Sequence, residues 1–260
     1  MAEFQDLVKI MEKLRSPGGC PWDREQTHSS LREYLLEETC EVLEKIDEDD
    51  REGLKEELGD LLLQIVFHAQ IAKENGDFTI HDVIDAICEK LIRRHPHVFG
   101  NEKAKTPEDV SVKWHQIKEK EGKVGSESIL QGVPRTLPSL HRCYKLTKRA
   151  ARVGFDWERV EQIFDKLSEE KEELLAAIEE GDRERIEDEV GDLLFVTANI
   201  ARFLGVNPEL ALAKTNRKFE ERFNYIEKNL NKNGESLEEA SLERMEELWR
   251  RAKEEEEKRK

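Results

Sequence analysis

Glu38 and Glu41 stand three residues apart in one stretch of three-and-four apolar spacing, and Glu57 and Asp60 stand three apart in the next. On a helix an i, i+3 pair projects from one face, so two facing helices would gather four carboxylates. The same arrangement returns as Glu170, Glu173, Glu189 and Asp192. Four negative charges held that closely repel one another unless a cation lies between them, and hard carboxylate oxygens suit Mg²⁺ or Mn²⁺. With 59 acidic residues in 260, ExxE and ExxD strings also arise by chance on solvated helix faces. The case for a site is that both pairs recur in one register beside apolar Leu-Leu turns. Gly59 and Gly191 recur with them. A mid-helix glycine costs about 1 kcal/mol relative to alanine, so its repetition predicts close approach of another helix or of a ligand.

Metals held by helical carboxylates serve redox or hydrolytic chemistry, and neighbouring residues separate the two. Di-iron bundles take Glu-x-x-His from core helices. The one such string here, Glu25 to His28, falls outside the apolar rhythm. Phosphoryl chemistry is favoured, because the following stretches bring cations at four-residue steps: Lys90 and Arg94, then Lys214, Lys218 and Arg222. A solvated basic stripe is the plain alternative. Trp114 with Lys118, and Trp249 with Lys253, repeat an i, i+4 pair in which an indole could stack on a nucleobase while the ammonium meets phosphate. Core packing explains these tryptophans equally. Trp22 and Trp157 read as packing anchors. His95-Pro96-His97 has the look of metal ligands, although surface histidines more often serve other ends. No GxxxxGK[ST] string is present, so the P-loop mode of phosphate binding is absent.

The elements that must position these residues all read as amphipathic helices, with no strand among them. Helices are expected from Phe4 to Leu14, about Leu31 to Asp47, about Gly53 to Lys73, Thr79 to Arg94, and onward from a Thr106-Pro107 cap. Between Gly122 and Pro138 helical rhythm lapses among glycines, prolines and small polar residues. We therefore place a domain over 1–122, a linker over 123–136 and a second domain over 137–260. Beyond the linker, helices are expected from about Leu140, up to Glu180, from Arg183 to Leu204, from Asn207-Pro208 to about Leu230, and after Ser241. An internal duplication underlies the pattern: Gly59-Asp60-Leu61-Leu62 recurs 132 residues later as Gly191-Asp192-Leu193-Leu194, and the glutamates keep the same offset.

Composition narrows the functional class. The net charge of −16 repels phosphate backbones, which excludes a general nucleic-acid binder. Apolar residues are only 37% of the chain but are periodic, which argues for a packed protein. Cys20, Cys40, Cys88 and Cys143 form no CxxC pair and read as reduced thiols of a cytoplasmic protein. The acidic start and the Gln64 that interrupts the greasiest run, Leu61 to Phe67, predict neither a signal peptide nor a membrane span.

Glu37-Glu38-Thr39-Cys40-Glu41 followed by Glu57-Leu58-Gly59-Asp60, and Glu169-Glu170-Lys171-Glu172-Glu173 followed by Glu189-Val190-Gly191-Asp192, resemble the EExxE and ExxD signatures of the MazG family. Gly19-Cys20-Pro21-Trp22-Asp23, Arg93-Arg94-His95-Pro96-His97-Val98-Phe99 and Val153-Gly154-Phe155-Asp156-Trp157 are similar to that family's connecting motifs. The resemblance covers nearly the whole chain and points to a tandem-domain member.

It implies an all-α, Mg²⁺-dependent nucleoside triphosphate pyrophosphohydrolase, with Mn²⁺ a possible substitute, cutting NTPs and dNTPs to the monophosphate and pyrophosphate. It also implies a homodimer whose helices combine into one bundle. Carried over, Glu170, Glu173, Glu189 and Asp192 are metal ligands and catalytic groups, with Lys218, Arg222, Trp249 and Lys253 around the nucleotide. Glu38, Glu41, Glu57 and Asp60, with Lys90, Arg94, Trp114 and Lys118, are the first-copy equivalents. The resemblance favours the second domain for turnover, by in-line attack of an activated water on the α-phosphorus. The copies differ: Gln64 and His68 correspond to Val196 and Ile200, and Phe67 to Asn199. Asn199, two turns from Asp192 on one face, could contact the nucleotide or make an ordinary interhelical hydrogen bond. Two other readings stay open, a non-catalytic nucleotide-binding regulatory protein and a narrower dUTPase-like pyrophosphatase.

Overall fold

A computed structural model describes residues 2–107, 109, 110, 114, 117 and 128–259. Among them all regular structure is helical. The chain divides into two compact units, Met1–Val124 and Gly125–Lys260. The first holds α1 (Phe4–Arg15), α2 (Pro21–Glu25), α3 (Arg32–Glu48), α4 (Arg51–Asn75), α5 (Ile80–Arg94) and α6 (Pro96–Phe99). The second holds α7 (Ser139–Ala151), α8 (Val160–Glu180), α9 (Arg183–Phe203), α10 (Pro208–Lys232) and α11 (Leu242–Arg259). The one-turn helices α2 and α6 have no apolar period to betray them; each begins at a proline whose fixed φ suits a first helical position. The helix expected after Thr106 lies mostly outside the described residues, but the Asp109 N–H donates to Thr106 Oγ1 at 3.1 Å.

The heart of each unit is a helical hairpin with a two-residue turn, built from the same positions. In the first, Asp49 closes α3 in the left-handed region (φ 54°), and the Asp50 carboxylate caps α4 by accepting the Gly53 N–H at 3.0 Å. In the second, Gly181 closes α8 (φ 70°), and Asp182 accepts the N–H groups of Glu184 and Arg185 at 3.1 and 3.2 Å. A left-handed residue followed at once by a capping aspartate reverses the chain and lays the helices antiparallel. Asp49 tolerates the left-handed backbone because its short polar side chain can satisfy local groups.

Around the first hairpin, α1 and α5 pack on α4. Val8, Met11, Leu31, Val66, Phe67, Ala69, Ile71 and Ile80 form the core there. Arg15 ties the loop before α3 to the end of α4. Its guanidinium donates to the carbonyls of Asp23 and Gln26 and to the Glu74 carboxylate, the last at 2.7 Å. In the second unit α10 and α11 form their own pair around Ile226, Leu230 and Leu248, while α7 packs on both α9 and α10. Arg202 of α9 holds Asp156 of the preceding loop, with Nη1 3.0 Å from Oδ2. No helix among the described residues is long and apolar enough to cross a membrane.

Candidate metal and nucleotide site

The hairpin turns set the register that brings the acids together. In the first unit Glu38 and Glu41 of α3 meet Glu57 of α4, each offering a carboxylate oxygen within 4.8 Å of the others. In the second unit Glu170 and Glu173 of α8 meet Glu189 of α9 in the same way. Asp60 and Asp192, expected as fourth ligands, lie outside these trios. Asp60 is half-buried and its charge still acts on Glu38 and Glu57, whereas Asp192 is exposed.

The carboxylates of the trios act on one another's charge. Partial burial, then the charges of Asp60 and Glu41, push the Glu38 carboxyl above its ordinary range, although a hydrogen bond from Gln64 opposes the shift. Glu57 is raised by desolvation and by Glu41 and Asp60. Glu173 is raised by desolvation, by a hydrogen bond shared with Glu170 and by the charge of Glu189. Clustered carboxylates that resist ionisation are relieved by a hard divalent ion, and three such oxygens are a fitting donor set for Mg²⁺ or Mn²⁺.

Each trio has a neighbour that motif spacing alone did not single out as part of it. In the second, the Lys166 ammonium lies 2.8 Å from both Glu169 and Glu170, and the Glu170 side chain is 6% exposed. The four-residue Lys-to-Glu spacing is the signal in the sequence, but it is not duplicated, because the equivalent first-copy residue is Tyr34. In the first, Gln64 is buried at 6% exposure and bonds Glu38, at the place Val196 takes in the second. Among the described residues Gly59 and Gly191 do not meet another helix, contrary to one of the two expectations for them: a Cβ at either would touch nothing within 4 Å.

In each unit an arginine lies against a tryptophan. Arg222 lies over the Trp249 ring at 5.4 Å and pairs with Glu256 at 2.7 Å; Arg94 lies over Trp114 at 5.6 Å. Trp249 also packs against Phe219 and the α10–α11 core, so its structural role is real whatever else it does. Lys90, Lys214 and Lys253 are exposed and Lys218 is half-buried. Lys118 lies outside the described residues. Asn199 accepts a hydrogen bond from Arg202 Nε at 2.7 Å, within its own helix rather than across to another. His95 directs Nδ1 at the Leu91 carbonyl and its ring edge at Trp114, an arrangement that anchors the turn into α6. Trp22, expected as an anchor, meets Tyr34 edge-on and stays half exposed.

Comparison with known proteins joins these features. The family profile of the MazG nucleotide pyrophosphohydrolase domain matches residues 26–99 and again 158–226. The nucleoside triphosphate pyrophosphohydrolase/pyrophosphatase MazG of Thermotoga maritima is 49% identical over 250 residues, covering 96% of this chain and 95% of that one. The nucleoside triphosphate pyrophosphohydrolase of Escherichia coli K12 is 45% identical over 260 residues, covering 98% and 99%. An uncharacterised Bacillus subtilis protein, YabN, is 48% identical over 97% of this chain but only 52% of its own. The two matched segments contain the two glutamate trios, one each, and the chain belongs to the MazG family as a tandem, all-α member.

Proposed function

We propose that this protein is a nucleoside triphosphate pyrophosphohydrolase that depends on Mg²⁺ or a similar ion, cutting NTPs and dNTPs at the α-phosphorus to the monophosphate and pyrophosphate. The observation that carries the reading is the repeated glutamate trio, in the same register of the same hairpin, inside both family-matched segments. The names of the Thermotoga and Escherichia relatives support the substrate class.

Divalent ions, when bound, supply charge neutralisation for the triphosphate and an activated water. Glu38, Glu41 and Glu57, and Glu170, Glu173 and Glu189, would hold them, with Asp60 and Asp192 completing each set from the next turn. A glutamate carboxylate beside the attacking water can also take the proton that the water gives up. Lys166 would turn from Glu170 to the phosphates once ions occupy the trio, since it then loses its reason to stay. Lys218, Arg222 and Lys253, and Lys90, Arg94 and Lys118 in the first copy, would meet the departing pyrophosphate. Trp249 and Trp114 would carry their arginines into place, and Asn199 would act through Arg202.

The assembly we favour is a homodimer. Leu43, Ile46, Leu58 and Leu62, and their equivalents Leu175, Ile178, Val190 and Leu194, are each between 37% and 54% exposed. Eight apolar side chains at matching positions beside the open glycines fit a second copy's helices. The wide spacing of the four cysteines, with no CxxC pair, suits a cytoplasmic setting, and the negative charge argues against nucleic acid as partner.

Pyrophosphate release from ATP, dUTP and a non-standard triphosphate, with the products identified, tests the reading. Activity should require Mg²⁺ and vanish with EDTA. Undiminished release from a chain carrying Glu38→Gln, Glu57→Gln, Glu170→Gln and Glu189→Gln would refute it.

A further inference from the structure

Among the described residues four buried side-chain atoms lack a hydrogen-bond partner, and two of them, Gln64 Oε1 and His68 Nε2, stand one turn apart on α4. They continue the stripe that begins with Glu57 and Asp60. Gln64 is already at the first trio, where its amide meets Glu38, which leaves its carbonyl oxygen unspent. His68 Nδ1 lies 2.8 Å from His28 Nδ1, with the rings 4° from parallel and their centroids 5.1 Å apart. That separation is close to the largest such a contact permits, so the rings meet edge to edge in one plane along a single N–H···N bond. One imidazole donates and the other accepts. Burial and the neighbouring His28 both hold His68 to its neutral form. The second copy has none of this: Val196 and Ile200 occupy the two α9 positions.

We propose that Gln64, His68 and His28 read the nucleoside of a triphosphate held at the first trio, with Gln64 Oε1 accepting an N–H or O–H donor from it. The inference rests on the trios being the triphosphate sites. A buried acceptor with no partner is costly to keep, and a ligand donor is what such an atom discriminates for: a site built to bond a donor rejects analogues that lack one. The shared proton lets His68 Nε2 present either a hydrogen or a lone pair, according to which histidine donates, so the pair of side chains suits an edge in which a donor stands beside a second polar group. The apolar counterpart in the second copy can make no such distinction. The two copies would therefore differ in which nucleotides they hold.

The experiment uses the full chain with Glu170→Gln and Glu189→Gln silencing the second copy. Binding of ATP, GTP, CTP, UTP and dUTP is measured calorimetrically in Mg²⁺, with and without Gln64→Val and His68→Ile. These substitutions install the residues that the second copy already accommodates. We expect about a tenfold or larger spread of affinities across the panel, narrowing to about threefold in the substituted chain. Loss of a UTP-over-dUTP preference alone would assign the contact to the sugar; loss across bases would assign it to the base edge. His28→Ala, which leaves α4 untouched, should narrow the spread in part and serves if the double change unfolds the unit. Equal affinities before and after, with a raised melting temperature, would mean that the orphan atoms hold an internal water only, and would overturn the inference while leaving the trios as triphosphate sites. Failure of the silenced chain to bind any triphosphate would instead overturn the first trio as a triphosphate site, and the inference with it.

Discussion

A lysine bonds the second trio directly, whereas the lysine that acts on the first, Lys45, pairs with Glu48 and reaches Glu57 only through its charge. Lys166 lies one turn before Glu170 and bonds it, while Tyr34 at the matching place turns its ring to Trp22. The first trio is instead flanked by Gln64, a neutral donor that can soften the repulsion without cancelling it. The hairpins are alike down to the left-handed residue and the capping aspartate, so the backbone does not account for the difference. One fold thus presents the same three acids with a lysine bonded to them in one copy and with a hydrogen-bonding glutamine beside them in the other. The loops before the carboxylate helices were also secured by different means, Arg15 gripping backbone carbonyls in the first unit and Arg202 gripping the Asp156 carboxylate in the second. Duplication fixed the scaffold, and the residues around each site then diverged.

The largest effect should come from asymmetric removal of ligands. Glu189→Gln is expected to lower pyrophosphate release by about 10²-fold or more, as loss of a preorganised electrostatic group does, while Glu57→Gln leaves most of the turnover. The opposite ranking in steady-state assays would assign catalysis to the first copy. Lys166→Met should tighten Mn²⁺ binding to the second copy several-fold in the absence of nucleotide, because the ion no longer competes with an ammonium, and Tyr34→Lys should weaken the first. Titration followed by electron paramagnetic resonance reads both, and identical affinities in all three chains would erase the distinction.

Stability provides smaller signals. In the folded protein the Glu38, Glu57 and Glu173 carboxyls are held above their ordinary range. Raised acids contribute stability that is full below the unfolded pKa and lost as pH rises through the folded one. Ions that relieve the repulsion should therefore raise the melting temperature more at pH 8 than at pH 5, where protons compete for the same oxygens. An increment independent of pH in melting curves with and without Mg²⁺ would contradict this. The Asp156 carboxyl runs the other way: its bonds from Arg202 and the Trp157 N–H hold its pKa down, so its contribution is present at neutral pH and lost as pH falls through the depressed value. Asp156→Asn should cost about 1–3 kcal/mol by chemical denaturation at pH 7 and little near pH 2. Smallest of all, Gly59→Ala should stabilise α4 by up to about 1 kcal/mol while weakening self-association by sedimentation, since the chain itself leaves that position open.

Much of this was legible in the order of residues. Helix positions follow from apolar period and from caps such as Thr79, whose side chain and that of Asp82 bond each other's backbone N–H groups. The repeated glutamates follow from an i, i+3 spacing that any helix turns into a shared face, and the constant offset of 132 shows that both copies would do so alike. These are local properties, determined within a turn or two of chain. What only the tertiary structure decided is which of four acids on two helices come within ligand distance. It left Asp60 and Asp192 out of the closest group, placed Lys166 on Glu170 rather than in solvent, turned Asn199 to Arg202, and paired His28 with a histidine 40 residues away. Those outcomes depend on the rotation of one helix about its axis against another and on which side chains fill the gap. That rotation is set by packing and by the hairpin turn together, and spacing along one helix carries no record of it.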